Sequence, residues 1–193
     1  MGIISRFPAG ATKPYIEEIY NSDGQLIDAK MYGYEAIRDY AFYACENLAL
    51  TTLPSGITKI GHNAFDGCSS LALTTLPSGI TNIDISTFTA CTSLALTTLP
   101  SGITNIGSFA FADCSSLALT TLPSGITHIG IDAFARCPSL TSLTFEGTPK
   151  SIANGAFSAC DNLTTINVPW AEGAVANAPW GATNATITYG YTG

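Results

Sequence analysis

The chain has 193 residues, 46% hydrophobic and only 11% charged, with 14 Asp and Glu against seven Lys and Arg. A net charge of −7 with thinly spread cations offers no basic stripe for a phosphate backbone, so nucleic acid is not expected as a partner. No run approaches the roughly 18 consecutive apolar residues of a membrane span.

Residues 1–14 cluster Gly, Pro and Ala without periodicity and read as an arm. The start, MGIISRFPAGATKPY, lacks the apolar stretch of roughly 7 to 15 residues that a secretory signal peptide needs. As it stands it does not read as a Sec substrate, although a mature form with its leader removed would read the same. Residues 15–34, YIEEIYNSDGQLIDAKMYGY, are two β-compatible runs around Asn21, Ser22, Asp23 and Gly24, which predicts a hairpin. Its expected role is an N-terminal cap, because the open edge of a first repeat needs cover.

Residues 35–169 are an array. ALTTLPSGIT occurs verbatim four times, from Ala49, Ala72, Ala95 and Ala118, at one constant step. The same step relates six cysteines (Cys45, Cys68, Cys91, Cys114, Cys137, Cys160), six phenylalanines from Phe42 to Phe157 and six leucines from Leu48 to Leu163. Such a period, with leucines at fixed offsets, predicts a leucine-rich-repeat solenoid in which each coil buries its apolar edge against its neighbours. The fold expected is mostly β. In the coil from Leu71 to Cys91 the strand ends at Pro77, Ile80 and Ile83 return to the core, and a single helical or 3₁₀ turn through Phe88 closes the far side. Residues 170–193 read as a C-terminal cap, with Trp170 and Trp180 over the last coil and ATITYGY as a final strand.

The strand register has two readings. LTSLTF (Leu140 to Phe145) and LTTINV (Leu163 to Val168) place apolar residues at offsets 0, 3 and 5. If the LALTTLP copies share that register, Thr51, Thr74, Thr97 and Thr120 form an internal ladder while Leu50, Leu73, Leu96 and Leu119 face outward; a one-residue slip reverses this.

The pattern CSSLxxxxxPSGITxIGxxAFxxC resembles the BspA-like leucine-rich repeats of bacteria, from about Ile37 to Pro169, with LALTTLP standing where that family more often has LTSITIP. The resemblance implies extracellular recognition of a protein or cell-surface ligand. The two ends, MGIISRFPAG and VPWAEGAVANAPWGATNATITYGYTG, resemble terminal pieces of prophage tail or virion-surface proteins of gut Firmicutes. That resemblance implies a place on a virion, where the BspA-like resemblance implies the cell surface.

Candidate chemistry is sparse. Cysteines one coil apart would sit roughly 4.8 Å from each other with parallel Cβ vectors, unsuited to a disulfide, and a linear column does not converge on a metal. Buried free thiols are expected. His62 and His128 stand at different offsets, and no HExxH, GxSxG or phosphate loop occurs. Neither an enzyme nor a cofactor is expected. The candidate ligand-binding residues are the row Leu50, Leu73, Leu96 and Leu119, and the edge carrying Ile85, Phe109 and Ile131, where residues vary between otherwise constant copies. A ligand or a second copy of the chain is the expected cover, and a structural spacer is the competing reading.

Overall fold

The hairpin forms where Asn21 makes it possible. In the computed structural model, which describes residues 15–193, the Asn21 side chain accepts hydrogen bonds from the amides of Asp23 (3.0 Å) and Gln25 (2.9 Å). Gly24, at φ 75°, closes the turn onto the Asn21 carbonyl. Strands β1 (Tyr15–Tyr20) and β2 (Leu26–Tyr32) pair antiparallel around it, with a bulge between Ile19 and Tyr20. β2 also takes the place of a coil before the first repeat: the Ala49 amide donates to Ile27 as that of Ala72 donates to Leu50, one repeat further on. The arm expected over 1–14 lies outside the described residues.

Beyond the hairpin the strands are short. They are β3 (Ala36–Ile37), β4 (Lys59–Ile60), β5 (Asn82–Ile83), β6 (Asn105–Ile106), β7 (Thr121–Leu122), β8 (His128–Ile129), β9 (Ser142–Phe145), β10 (Ser151–Ile152), β11 (Thr165–Val168) and β12 (Thr186–Tyr189). β3 with β4, and β5, β6, β8 and β10 in that order, pair in parallel along one edge. β7, β9, β11 and β12 form the parallel strand face. In every cross-coil pair up to β11 the partners stand one repeat apart, as Asn105 does from His128 and Thr121 from Thr144, so the sequence period is the solenoid's rise.

No helix occurs among the described residues, which corrects the expected helical or 3₁₀ closure. Along the segment before each Cys the amides alternate. Those of Asn63, Phe65 and Gly67 donate to Ile85, Thr87 and Thr89 of the next coil, while those of Ala64, Asp66 and Cys68 donate three residues back. A helix would spend every amide within its own turn. Left-handed residues at positions 63 and 67 and their equivalents also break the helical sense every four residues.

The core is a set of columns. Phe42, Phe65, Phe88, Phe111, Phe134 and Phe157 stack at centroid spacings of 5.2–5.6 Å with planes within 10°. Each thiol from Cys68 to Cys160 donates to the carbonyl of the Phe 26 residues earlier, at 2.9–3.0 Å. The sulfurs therefore point at backbone oxygens and not at one another. Five cysteines are buried, but Cys45, with no complete coil before it, is partly exposed, unlike the six buried thiols expected.

The outward leucines are also corrected. Leu50, Leu73, Leu96 and Leu119 are 5%, 0%, 0% and 1% exposed, and Thr51, Thr74, Thr97 and Thr120 face solvent in place of the expected internal ladder. The LALTTLP copies turn in residues at offsets 0, 2 and 5, such as Leu71, Leu73 and Leu76, whereas LTSLTF turns in Leu140, Leu143 and Phe145. Before β7 the LALTTLP copies form no regular strand, so strict alternation does not bind them. The backbone bends at Thr74 and Thr97, but Leu50 and Leu119 turn in without a bend, so the common cause is burial: a buried leucine is worth about 1.5–3 kcal/mol, more than the threonine hydroxyls would recover inside.

Candidate functional site

With the leucine row inside, the LALTTLP segments turn small hydroxyls such as Thr74, Thr75 and Thr97 to solvent. Large apolar groups emerge elsewhere, on the edge where the IG step turns into the segment before each Phe. Ile85, Phe109 and Ile131 are 48%, 39% and 54% exposed. Ile85 and Ile131 belong to one column, two coils or roughly 10 Å apart, with Ser108 between them. Phe109 stands in the adjoining column.

That adjoining column is left-handed throughout: Tyr40, Asn63, Ser86, Phe109, Asp132 and Gly155 have φ between 51° and 87°. Glycine meets this need without strain and stands there in the last coil, yet the fourth carries an exposed Phe and the first an exposed Tyr. The backbone beneath is held on both sides. Ile85 and Ile131 accept from Asn63 (3.1 Å) and Phe109 (2.9 Å), and Phe109 in turn accepts from the Thr89 hydroxyl (2.7 Å). Just before these residues the coils are too close for a side chain. A Cβ on Gly107 would lie 2.8 Å from the Ile85 nitrogen, and one on Gly130 2.5 Å from the Ser108 nitrogen. The result is a shallow, open groove lined by Ile85, Asn105, Ser108, His128, Ile131 and Ser151.

The edge also holds a pair that sequence reasoning missed. Tyr40 and Tyr43 meet edge to face, 5.9 Å between centroids, and both are more than half exposed. The signal was available: Tyr40 lies three whole periods before Phe109, so two aromatics share one otherwise polar column.

Charge enters weakly. Arg136 grips Asp113 through two hydrogen bonds of 2.6 and 2.7 Å and holds its carboxyl below the usual range, but the pair is exposed and worth under about 1 kcal/mol. Burial pushes the Cys68 thiol up to about 12 and those of Cys91 and Cys114 well above their ordinary value, so these sulfurs are poor nucleophiles. The groove provides rigid apolar and amide contacts.

In fold the chain is similar to a leucine-rich repeat protein from Bacteroides ovatus, with 26% identity and a TM-score of 0.64 over 79% of this chain and 45% of that one. It is similar also to the leucine-rich repeat protein of T. pallidum, with 29% identity and a TM-score of 0.63 over 84% of both chains. A third similarity is to a leucine-rich cell surface protein from Faecalibacterium prausnitzii, with 26% identity and a TM-score of 0.52 over 83% of this chain and 52% of that one. The chain thus spans about half the length of the first and third of these. It has no match among the curated proteins. Residues 35–164, about two thirds of the sequence, match six copies of the BspA type leucine-rich repeat region, and the chain belongs to that family.

Proposed function

We propose that the protein is a non-enzymatic recognition module of a bacterial cell surface, and that it holds a protein ligand along the edge carrying Ile85, Phe109 and Ile131. The observation that carries this reading is Phe109. Every coil is left-handed at this position, and the coils on either side fill it with Asn63, Ser86, Asp132 and Gly155, so what sets Phe109 apart is an exposed aromatic where small or polar residues serve the backbone. Exposed aromatics on a rigid backbone are also the side chains that contribute most at protein interfaces. The cell-surface description of the Faecalibacterium relative supports the location. A spacer, in a cell surface or a virion, would leave these three side chains unexplained. In this reading the hairpin and residues 170–193 close the ends of the array.

The test is binding of the fluorescently labelled protein to cultured epithelial cells, with and without prior protease treatment of the cells. Wild type should bind and lose its binding on protease treatment. The triple variant Ile85→Ser, Phe109→Ser, Ile131→Ser should bind at least tenfold more weakly while keeping its β-type circular dichroism. Equal binding by the variant would overturn the assignment of this edge.

A further inference from the structure

The strand face ends at β12, whose outer edge has no strand beside it among the described residues. Thr186 donates to Thr164, and Thr186 and Thr188 therefore direct their amides and carbonyls toward β11. By the alternation of a parallel ladder, those of Ile187 and Tyr189 point away from it. A free edge of this kind is a template for another strand, and natural proteins usually guard it with charge, proline or a bulge. β1, at the opposite end, is guarded twice: Glu17 and Glu18 lie on it, and a bulge interrupts it at Ile19 and Tyr20. β12, reading TITY, has no such guard.

We propose that β12 is a self-association strand and that two copies of this chain pair through it, antiparallel, about a twofold axis at Thr188. The outward groups are self-complementary about that axis. Ile187 of one copy and Tyr189 of the other exchange both backbone hydrogen bonds, as do Tyr189 and Ile187, making four bonds. Thr188 faces its own copy across the axis in a non-hydrogen-bonded pair, with Cα atoms roughly 4.5 Å apart. The charge distribution favours a second copy as the occupant. The molecule carries a net −7, but residues 173–193 contain no Asp, Glu, Lys, Arg or His, so this end adds no side-chain charge repulsion between two copies. Ile187 and Tyr189 pack on the core and Thr186 and Thr188 face solvent. The two strand faces would then continue across the axis without repacking.

The test places single cysteines on β12 in a Cys45→Ser background, in which the five remaining thiols are buried. Thr188→Cys should give a disulfide-linked dimer of twice the 20.1 kDa chain mass on a non-reducing gel after mild copper oxidation. Thr186→Cys should give at least fivefold less, because residue 186 lies opposite residue 190 of the other copy and about 13 Å from its own counterpart. Sedimentation equilibrium should show wild type moving from monomer to dimer between about 1 and about 200 µM, and Thr188→Lys, with two ammonium groups across the axis, remaining monomeric at an unchanged melting temperature. A monomeric wild type at the highest concentration, equal crosslinking at 186 and 188, or a dimer indifferent to Thr188→Lys would each overturn the proposal.

Discussion

Ser86 shows what one position in this solenoid demands. Its φ of 53° places it in the left-handed region, as do Asn63 and Asp132 one coil before and two coils after. For an L-residue that region costs about 1–2 kcal/mol, least for Asn, Asp and Gly and most for β-branched side chains. Ser108, one coil on but in the neighbouring column, is as half-buried as Ser86 and carries no positive φ. Ser86→Val is therefore expected to lower stability by about 1–2 kcal/mol, the cost of forcing a branched side chain into that region. Ser108→Val should cost less than about 0.5 kcal/mol, as substitutions away from such special positions do. Both are read as shifts of the urea midpoint at constant slope. A loss from Ser86→Val as small as that expected for Ser108→Val would show that the column tolerates branching.

At the scale of one coil, the spacing between neighbours depends on glycines whose roles differ. Gly102 has ordinary room, since a Cβ there would meet only the carbonyl oxygens of Ile80 and Ser78, at 3.8 and 3.9 Å, and its φ is not positive. Gly130 has none, because the atoms closest to its absent Cβ are backbone of the preceding coil and cannot rotate away. Gly102→Ala is expected to be neutral or to stabilise by up to about 1 kcal/mol through the unfolded state. Gly130→Ala should destabilise by about 1–3 kcal/mol, as overpacking does. Thermal melts of the two variants check the contrast. The period, the hairpin and the inward Cys and Ile columns were legible in the sequence, because each rests on a repeat or on local turn chemistry. The register was not. LALTTLP allows two inward sets, and choosing Leu73 over Thr74 depends on an irregular backbone course that no local signal marks. The exposure of Ile85, Phe109 and Ile131 was legible as variation on a constant background. Leu50, Leu73, Leu96 and Leu119 were misplaced because the LxxLxL pattern of the last two coils was carried onto coils that lack it.

At the scale of the molecule the cysteine column links stability to pH. Burial raises the folded-state values of Cys68, Cys91 and Cys114 above the ordinary 9.0, Cys68 to about 12. An acid whose folded value is raised contributes its full stability below the unfolded value and loses it as pH rises toward the folded one. Above pH 9 the unfolded chain gives up thiol protons that the folded chain keeps, so stability falls by up to about 1.4 kcal/mol per pH unit for each such thiol. Urea midpoints between pH 8 and 10.5 should therefore decline, and Cys91→Ala with Cys114→Ala should flatten the decline by the share of two thiols. Tyrosine and lysine titration is common to both proteins and cancels in the comparison. An identical pH slope in wild type and double variant would mean that the thiols ionise in the folded state.

The ends of the array set the last expectation. Coils bury their apolar columns only against neighbours, so the first and last coils depend on what covers them. At the far end Trp170 and Trp180 both pack on Phe145, and the Trp180 carbonyl accepts from the Phe157 amide at 2.9 Å, the bond that a following coil would otherwise supply. The Trp180 indole is itself satisfied by Ala176 at 2.7 Å. Deleting residues 170–193 would expose the buried side chains of Phe145, Phe157, Ile166 and Val168 together with the unpaired edge of β11, and it is this apolar surface beside an open edge that aggregates. Deleting residues 15–34 removes β2 from the Ala49 amide and uncovers Leu48 and Leu50 at the near end. Both truncations are expected to elute in the void volume of a gel-filtration column or to precipitate, not merely to melt a few degrees lower. A truncated chain that stays monomeric with an unchanged melting temperature would show that the deleted segment packs on the solenoid without protecting it.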